Sequence, residues 1–205
     1  MKKMLLVSMF QNVEHLLKRV EPGLKNKTVT YIPTASRVEP LGFFVKIGRW
    51  RLKKLGMLVD ELEISTASYE TIKGKLEKND CIYITGGNTF FLLQELRRTG
   101  ADKLLVQAVN NGKLYIGESA GAIVAAPDIG YSAIMDKVEK APDLKDYTGL
   151  NLIDFYVLPH AQNREFKKSV EKIVADYGKA LDLKVINDRQ AVFVEGERVQ
   201  ILGVR

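Results

Sequence analysis

Short runs of apolar and β-branched residues alternate along this chain with longer stretches whose apolar positions recur every three or four residues. The short runs predict strands at residues 4–10, 28–32, 58–64, 81–85 and 114–116. The longer stretches predict helices at 12–20, 40–55, 69–77, 89–99 and 102–110. The punctuation between them agrees. Glu21-Pro22-Gly23 closes the first helix, Gly56 and Gly100 follow two others, and Asn111-Gly112 turns the chain into the run at 114–116. Strands alternating with helices point to a parallel sheet covered on both faces. The runs 28–32 and 81–85 are nearly all apolar or β-branched, as strands buried on both sides require.

After Ala126 the alternation loosens. Residues 127–150 hold many Asp, Lys and Gly and predict irregular structure or a short hairpin. A strand at 154–158 then delivers Pro159-His160, and a helix is predicted over 163–177. The tail reads as a strand at 183–186 followed by a hairpin, with arms 191–194 and 198–204 joined through Glu195-Gly196-Glu197. No repeat, low-complexity tract or linker interrupts the 205 residues, so one domain over 1–205 is expected.

Composition narrows the function classes. The net charge of +6 is spread along the chain. Its densest cluster, Arg49-Trp50-Arg51-Leu52-Lys53-Lys54, mixes basic and apolar residues at helical spacing and reads as a solvated helix face. No RNA-binding aromatic motif or zinc-finger spacing accompanies it, so no nucleic-acid partner is expected. The single cysteine, Cys81, sits in a buried run, and an internal disulfide is impossible. One Cys and two distant His form no ligand cluster, so neither a metal nor an organic cofactor is expected. The N-terminal apolar run is too short for a signal-peptide core, and nothing is long enough to span a membrane. A cytoplasmic protein is the expectation.

The chemistry concentrates around residues 113–126. There an apolar run enters Gly117-Glu118-Ser119-Ala120-Gly121, and an Ala-rich segment leaves it. This is the sequence form of a nucleophile elbow, a strand-to-helix turn that presents one hydroxyl at the edge of a sheet. A serine nucleophile needs a base, and histidine is the usual supplier. His15 lies inside a predicted surface helix. His160 lies at the end of an apolar strand, where sites assemble in open α/β sheets. The acid that orients the imidazole has four candidates: Asp188, Glu195, Asp128 and Asp136. Asp188, following the strand at 183–186, is preferred by position. Gly86-Gly87-Asn88-Thr89 joins a buried strand to a helix, and the amides of Gly87 and Ala120 are candidates for an oxyanion hole.

Three segments together, 84–90 (ITGGNTF), 117–122 (GESAGA) and 158–160 (LPH), resemble the dipeptidase E family of serine peptidases, which includes aspartyl dipeptidases and cyanophycinases. The resemblance covers most of the chain. It implies a fold like that of class I glutamine amidotransferases, a flavodoxin-like three-layer α/β sandwich with a mostly parallel central sheet. It implies Ser119 as nucleophile, His160 as base, Gly87 and Ala120 as oxyanion donors, and a late acid at Asp188. A small peptide would be the substrate, with a monomer or homodimer as the working form. The residues after the elbow and after the histidine (Ile123, Ala161) depart from the aspartyl dipeptidase pattern. Arg164, just past His160, is a candidate cation for an acidic substrate side chain. Two other readings compete. An α/β-hydrolase esterase would place its acid between nucleophile and histidine, at Asp128 or Asp136. A binding or stress-related protein on the same fold would leave Ser119 without a catalytic role.

Overall fold

A computed structural model describes residues 1–40 and 42–203. Leu41 and Val204, which fall inside predicted elements, lie outside the described residues. Seven strands form one sheet: β1 (Lys3–Val7), β2 (Thr28–Ile32), β3 (Leu58–Glu61), β4 (Cys81–Ile84), β5 (Leu114–Glu118), β8 (Gln190–Glu195) and β9 (Arg198–Gly203), in the order β3-β2-β4-β5-β1-β8-β9. The first five run parallel, and the β8–β9 hairpin adds antiparallel strands beside β1. Two further strands, β6 (Tyr156–Ala161) and β7 (Leu183–Asn187), pair parallel in a small sheet of their own.

The period-two alternation of side chains explains why both faces of the central strands are apolar. Met4, Leu6, Ile82, Ile84 and Tyr115 point into one buried cluster. Leu5, Val7, Cys81, Tyr83 and Ile116 point into the other. Two helices cover the second face, α1 (Phe10–Val20) and α2 (Gly42–Lys54). On α1 the buried residues Phe10, Val13, Leu16 and Leu17 form one stripe, each such side chain contributing about 2 kcal/mol by burial. The first face carries α3 (Tyr69–Lys78), α4 (Thr89–Thr99) and α5 (Ala101–Asn110), and the short α6 (Ala120–Ile123) follows β5. Near its open end lie β6, β7 and α7 (Lys167–Tyr177), through Val157, Leu158, Ile186, Val170 and Ile173. This is the flavodoxin-like sandwich expected from the sequence. Among the described residues no helix is long and apolar enough to cross a membrane.

Several boundaries differ from expectation, each for a packing reason. The first strand ends at Val7, not residue 10, because Phe10 opens the apolar stripe of α1. The third strand ends at Glu61. Leu62 and Ile64 stay buried beyond it by packing into the first cluster. Residues 127–150 contain two 3-10 turns (Gly130–Ile134 and Val138–Lys140) and a lone bridge from Asp128 to Thr148. The predicted helix at 163–177 begins only at Lys167, which leaves residues 163–166 as a turn beside His160. In the basic cluster on α2, Arg51 pairs with Glu14 and Arg49 with Glu61, while Arg51 and Lys54 lie over the exposed Trp50 ring.

Candidate active site

The central strand β5 runs into the elbow. Ser119 has φ 48° and ψ −106°, a conformation that L-residues adopt only under constraint. Close approach supplies the constraint. A Cβ on Gly117 would lie 2.4 Å from the carbonyl oxygen of Gly121, and a Cβ on Gly121 would lie 2.5 Å from that of Ile84. Only glycine at both positions lets α6 start this tightly against β5 and β4. The Ser119 carbonyl accepts from the amides of Ala122 and Ile123, which fixes the first turn of the helix. Gly121→Ala is therefore expected to destabilise the fold by about 3 kcal/mol, as overpacking against backbone does. For a chain of this size that lowers Tm by about 9 °C, measurable by calorimetry.

The strand ends β4 and β5 are neighbours, so the glycine turn lies beside the elbow. A Cβ on Gly86 would touch the Ser119 Cβ at 3.2 Å. Gly87 takes φ 141°, and a Cβ there would fall 2.2 Å from the Ala35 carbonyl, so this position too is reserved for glycine. Asn88 holds the turn. Its amide donates to the Ala35 carbonyl at 2.8 Å, its side-chain oxygen caps α4 at Phe91 N, and its side-chain nitrogen donates to the Lys137 carbonyl. Among the described residues the amides of Gly87 and Ala120 donate to no group of the chain.

His160 reaches this point from the small sheet. Its Nε2 lies 2.9 Å from Ser119 Oγ, and its Nδ1 lies 2.9 Å from Asp188 Oδ1. The ring is buried, and Phe166 stacks on it with centroids 4.5 Å apart and planes 20° from parallel. Asn163 Nδ2 donates to the second Asp188 oxygen at 2.7 Å. Burial pulls the Asp188 carboxyl upward, but the hydrogen bonds from His160 and Asn163 and the adjacent imidazole outweigh it and hold it below the usual carboxylate range. The other three candidate acids lie elsewhere. Asp128 accepts from Gly130 N in a local turn, and Glu195 sits on the β8–β9 hairpin near Lys3. Asp136 accepts from the amide and hydroxyl of Thr89 at the start of α4, and burial raises its pKa. Arg164 is exposed in the turn before α7.

Glu118 carries a further set of contacts. Its half-buried carboxyl accepts from Phe10 N at 2.8 Å, the first amide of α1, and from Tyr83 Oη at 2.7 Å. Met9, at the N-cap of α1, supplies no side-chain cap, so Glu118 fills that role from another strand. Desolvation pushes its pKa up, against those donors and the nearby His160. Glu118→Ala strands the Phe10 amide and the Tyr83 hydroxyl, and is expected to cost about 2 kcal/mol of stability in urea unfolding. Glu118→Gln keeps an acceptor for Phe10 N and is expected to lose less than half of that.

Glu118, Asn163 and Phe166 are members of the site that the sequence pattern does not single out. Glu118 has a signal, a charged residue inside the elbow at the end of an apolar strand. Asn163 and Phe166 have none, because they fall within a predicted helix.

The model of peptidase family S51 matches residues 4–202. An uncharacterized peptidase of Listeria innocua is 52% identical over 199 residues, covering 97% of this chain and 95% of its own. A peptidase E of a Nostoc species is 31% identical over 169 residues, covering 79% of this chain and 66% of its own. The crystal structure of a Listeria monocytogenes protein, assigned provisionally to peptidase E, superposes with a TM-score of 0.96 at 49% identity and full coverage of both chains.

Proposed function

The chain belongs to peptidase family S51, a family of serine peptidases, and from that premise we propose that it hydrolyses small peptides through Ser119, His160 and Asp188. One observation carries the reading: a continuous line from Ser119 Oγ through both imidazole nitrogens to the Asp188 carboxylate, with both links at 2.9 Å. In this mechanism His160 Nε2 takes the Ser119 proton as Oγ attacks the scissile carbonyl. The amides of Gly87 and Ala120 receive the oxyanion. His160 then gives the proton to the leaving amine, and water releases the acyl group by the reverse sequence. Asp188 holds the ring in the tautomer that leaves Nε2 free to accept, and steadies the imidazolium.

A dipeptide is the proposed substrate, as the resemblance to dipeptidase E implies, and relatives named peptidase E fit that reading without naming a substrate. Arg164 is the candidate cation for an acidic first residue, and its exposure leaves it free to meet one. A working form of one or two copies fits the same reading. The test is labelling of Ser119 by a serine-directed phosphonate, together with hydrolysis of a panel of Asp-X, Glu-X and neutral dipeptides. Labelling at Ser119 with turnover of part of the panel is the expected result. Absence of both would favour a binding protein on this fold. Arg164→Ala that leaves an acidic preference unchanged would remove that residue from the proposal.

A further inference from the structure

Ser119, His160 and the residue before Asp188 all meet one dipeptide, Val7-Ser8, at the end of β1. The Val7 carbonyl accepts from the Ser119 amide at 2.9 Å. Ser8 Oγ accepts from the His160 amide at 3.0 Å. The same hydroxyl donates toward the carbonyl of Asn187, the residue before Asp188, at 3.2 Å, with the Ile186 carbonyl at 3.4 Å. Ser8 is buried, with 1% of its surface exposed.

The local backbone shows why that hydroxyl is required. His160 has φ 64°, the left-handed region that a side chain with a Cβ seldom enters. The β6–β7 register breaks between Leu158 and Ala161, on either side of it. The His160 amide therefore turns out of the ladder with β7 and points toward β1. There a buried N–H needs an acceptor. A serine hydroxyl can accept from that amide and still donate its own proton to a carbonyl of the neighbouring strand. One oxygen thus ties the histidine backbone, and the strand that leads to the acid, to the strand that also holds the nucleophile's amide.

We propose that Ser8 is a positioning residue for the reaction, setting the imidazole against Ser119 and Asp188 through the His160 backbone without touching substrate. The proposal rests on the triad reading above. Misplacement of a catalytic group by about 1 Å can lower rates on the order of a hundredfold. Ser8→Ala is accordingly expected to slow phosphonate labelling of Ser119 by roughly 10- to 100-fold. It is also expected to move the His160 signals in a long-range proton–nitrogen spectrum, where the chain's only other histidine, His15, serves as an internal control.

Labelling within about twofold of the unsubstituted protein would overturn the proposal, whatever the spectrum shows. If the unsubstituted protein is not labelled, the triad reading has failed, and the spectrum alone decides: superimposable His160 signals in Ser8→Ala overturn the positioning role, displaced signals support it. If Ser8→Ala does not fold, hydrogen exchange in the unsubstituted protein decides. Protection of the His160 amide equal to that of the β1 amides supports the bond to Ser8, and exchange at the rate of an open loop overturns it.

Discussion

Ser119→Ala will lower kcat by roughly 10⁵-fold while the protein keeps its fold and its affinity for peptide. The loss is large because in the proposed mechanism the hydroxyl is the attacking group, and no neighbour can replace it. The stability change will be small for a reason visible in the backbone. Ser119 bonds through its amide to Val7 and through its carbonyl to Ala122 and Ile123, and alanine keeps all three. The one bond lost is that of Oγ to His160 Nε2, and water can take the place of the hydroxyl because position 119 is only half-buried. Circular dichroism and Tm should therefore match the unsubstituted protein, and phosphonate labelling should vanish. A residual rate above uncatalysed hydrolysis is expected, since the proposed oxyanion donors and the bound geometry survive. Full activity in Ser119→Ala would remove the nucleophile from the mechanism.

The fold was legible wherever a local rule was also the global one. β2 and β4 lie between two layers of helices, so their sequences are apolar or β-branched at nearly every position, and few other arrangements of a short segment produce that pattern. The elbow glycines and Gly87 are forced by backbone atoms that a Cβ would meet at 2.2 to 2.5 Å, so their spacing survives as a readable motif. What was not legible depends on partners distant in sequence. An apolar run such as 154–158 does not say which strand it joins, and β6 pairs with β7 instead of entering the main sheet. Buried residues after β3 looked like more strand because burial by packing and burial by ladder leave the same composition. Ser8 was hidden for a related reason. The apolar pattern passes from β1 into α1 with one polar residue between, and nothing local marks that serine as facing residues 160 and 187.

Asp188→Asn will cost about 10⁴-fold in kcat, and the hydrogen bonds around it explain why an isosteric change does so much. Asp188 accepts from two donors, His160 Nδ1–H on Oδ1 and Asn163 Nδ2 on Oδ2. Asparagine offers one acceptor and one donor, so one of the two must reverse. If His160 reverses, its proton moves to Nε2, which then faces Ser119 as a donor and cannot take the Oγ proton. If Asn163 reverses, it gives up the bond its side-chain oxygen accepts from Glu165 N at 3.0 Å, and the imidazolium formed in the reaction still lacks a counter-charge. Either outcome slows the step. The two are separable, because Asn163→Ala in the Asp188→Asn background removes the competing donor. It should recover part of the loss if the tautomer dominates, and none if the charge does. The pH dependence carries a definite sign. Asp188 titrates below its unfolded value, so its contribution to stability is fully present above that unfolded value, about 3.9. It is lost as pH falls through the lower, folded value. The difference in urea midpoint between the unsubstituted protein and Asp188→Asn should therefore be largest at neutral pH and shrink on acidification. Glu118, whose folded pKa burial raises, biases the chain the opposite way. It favours the folded state at low pH and opposes it as pH rises through its folded value, so the Glu118→Gln variant should gain on the unsubstituted protein toward neutral pH. A difference for Asp188→Asn that grows on acidification would mean that the carboxylate is not held by His160 and Asn163, and the proposed role of Asp188 would fall with it.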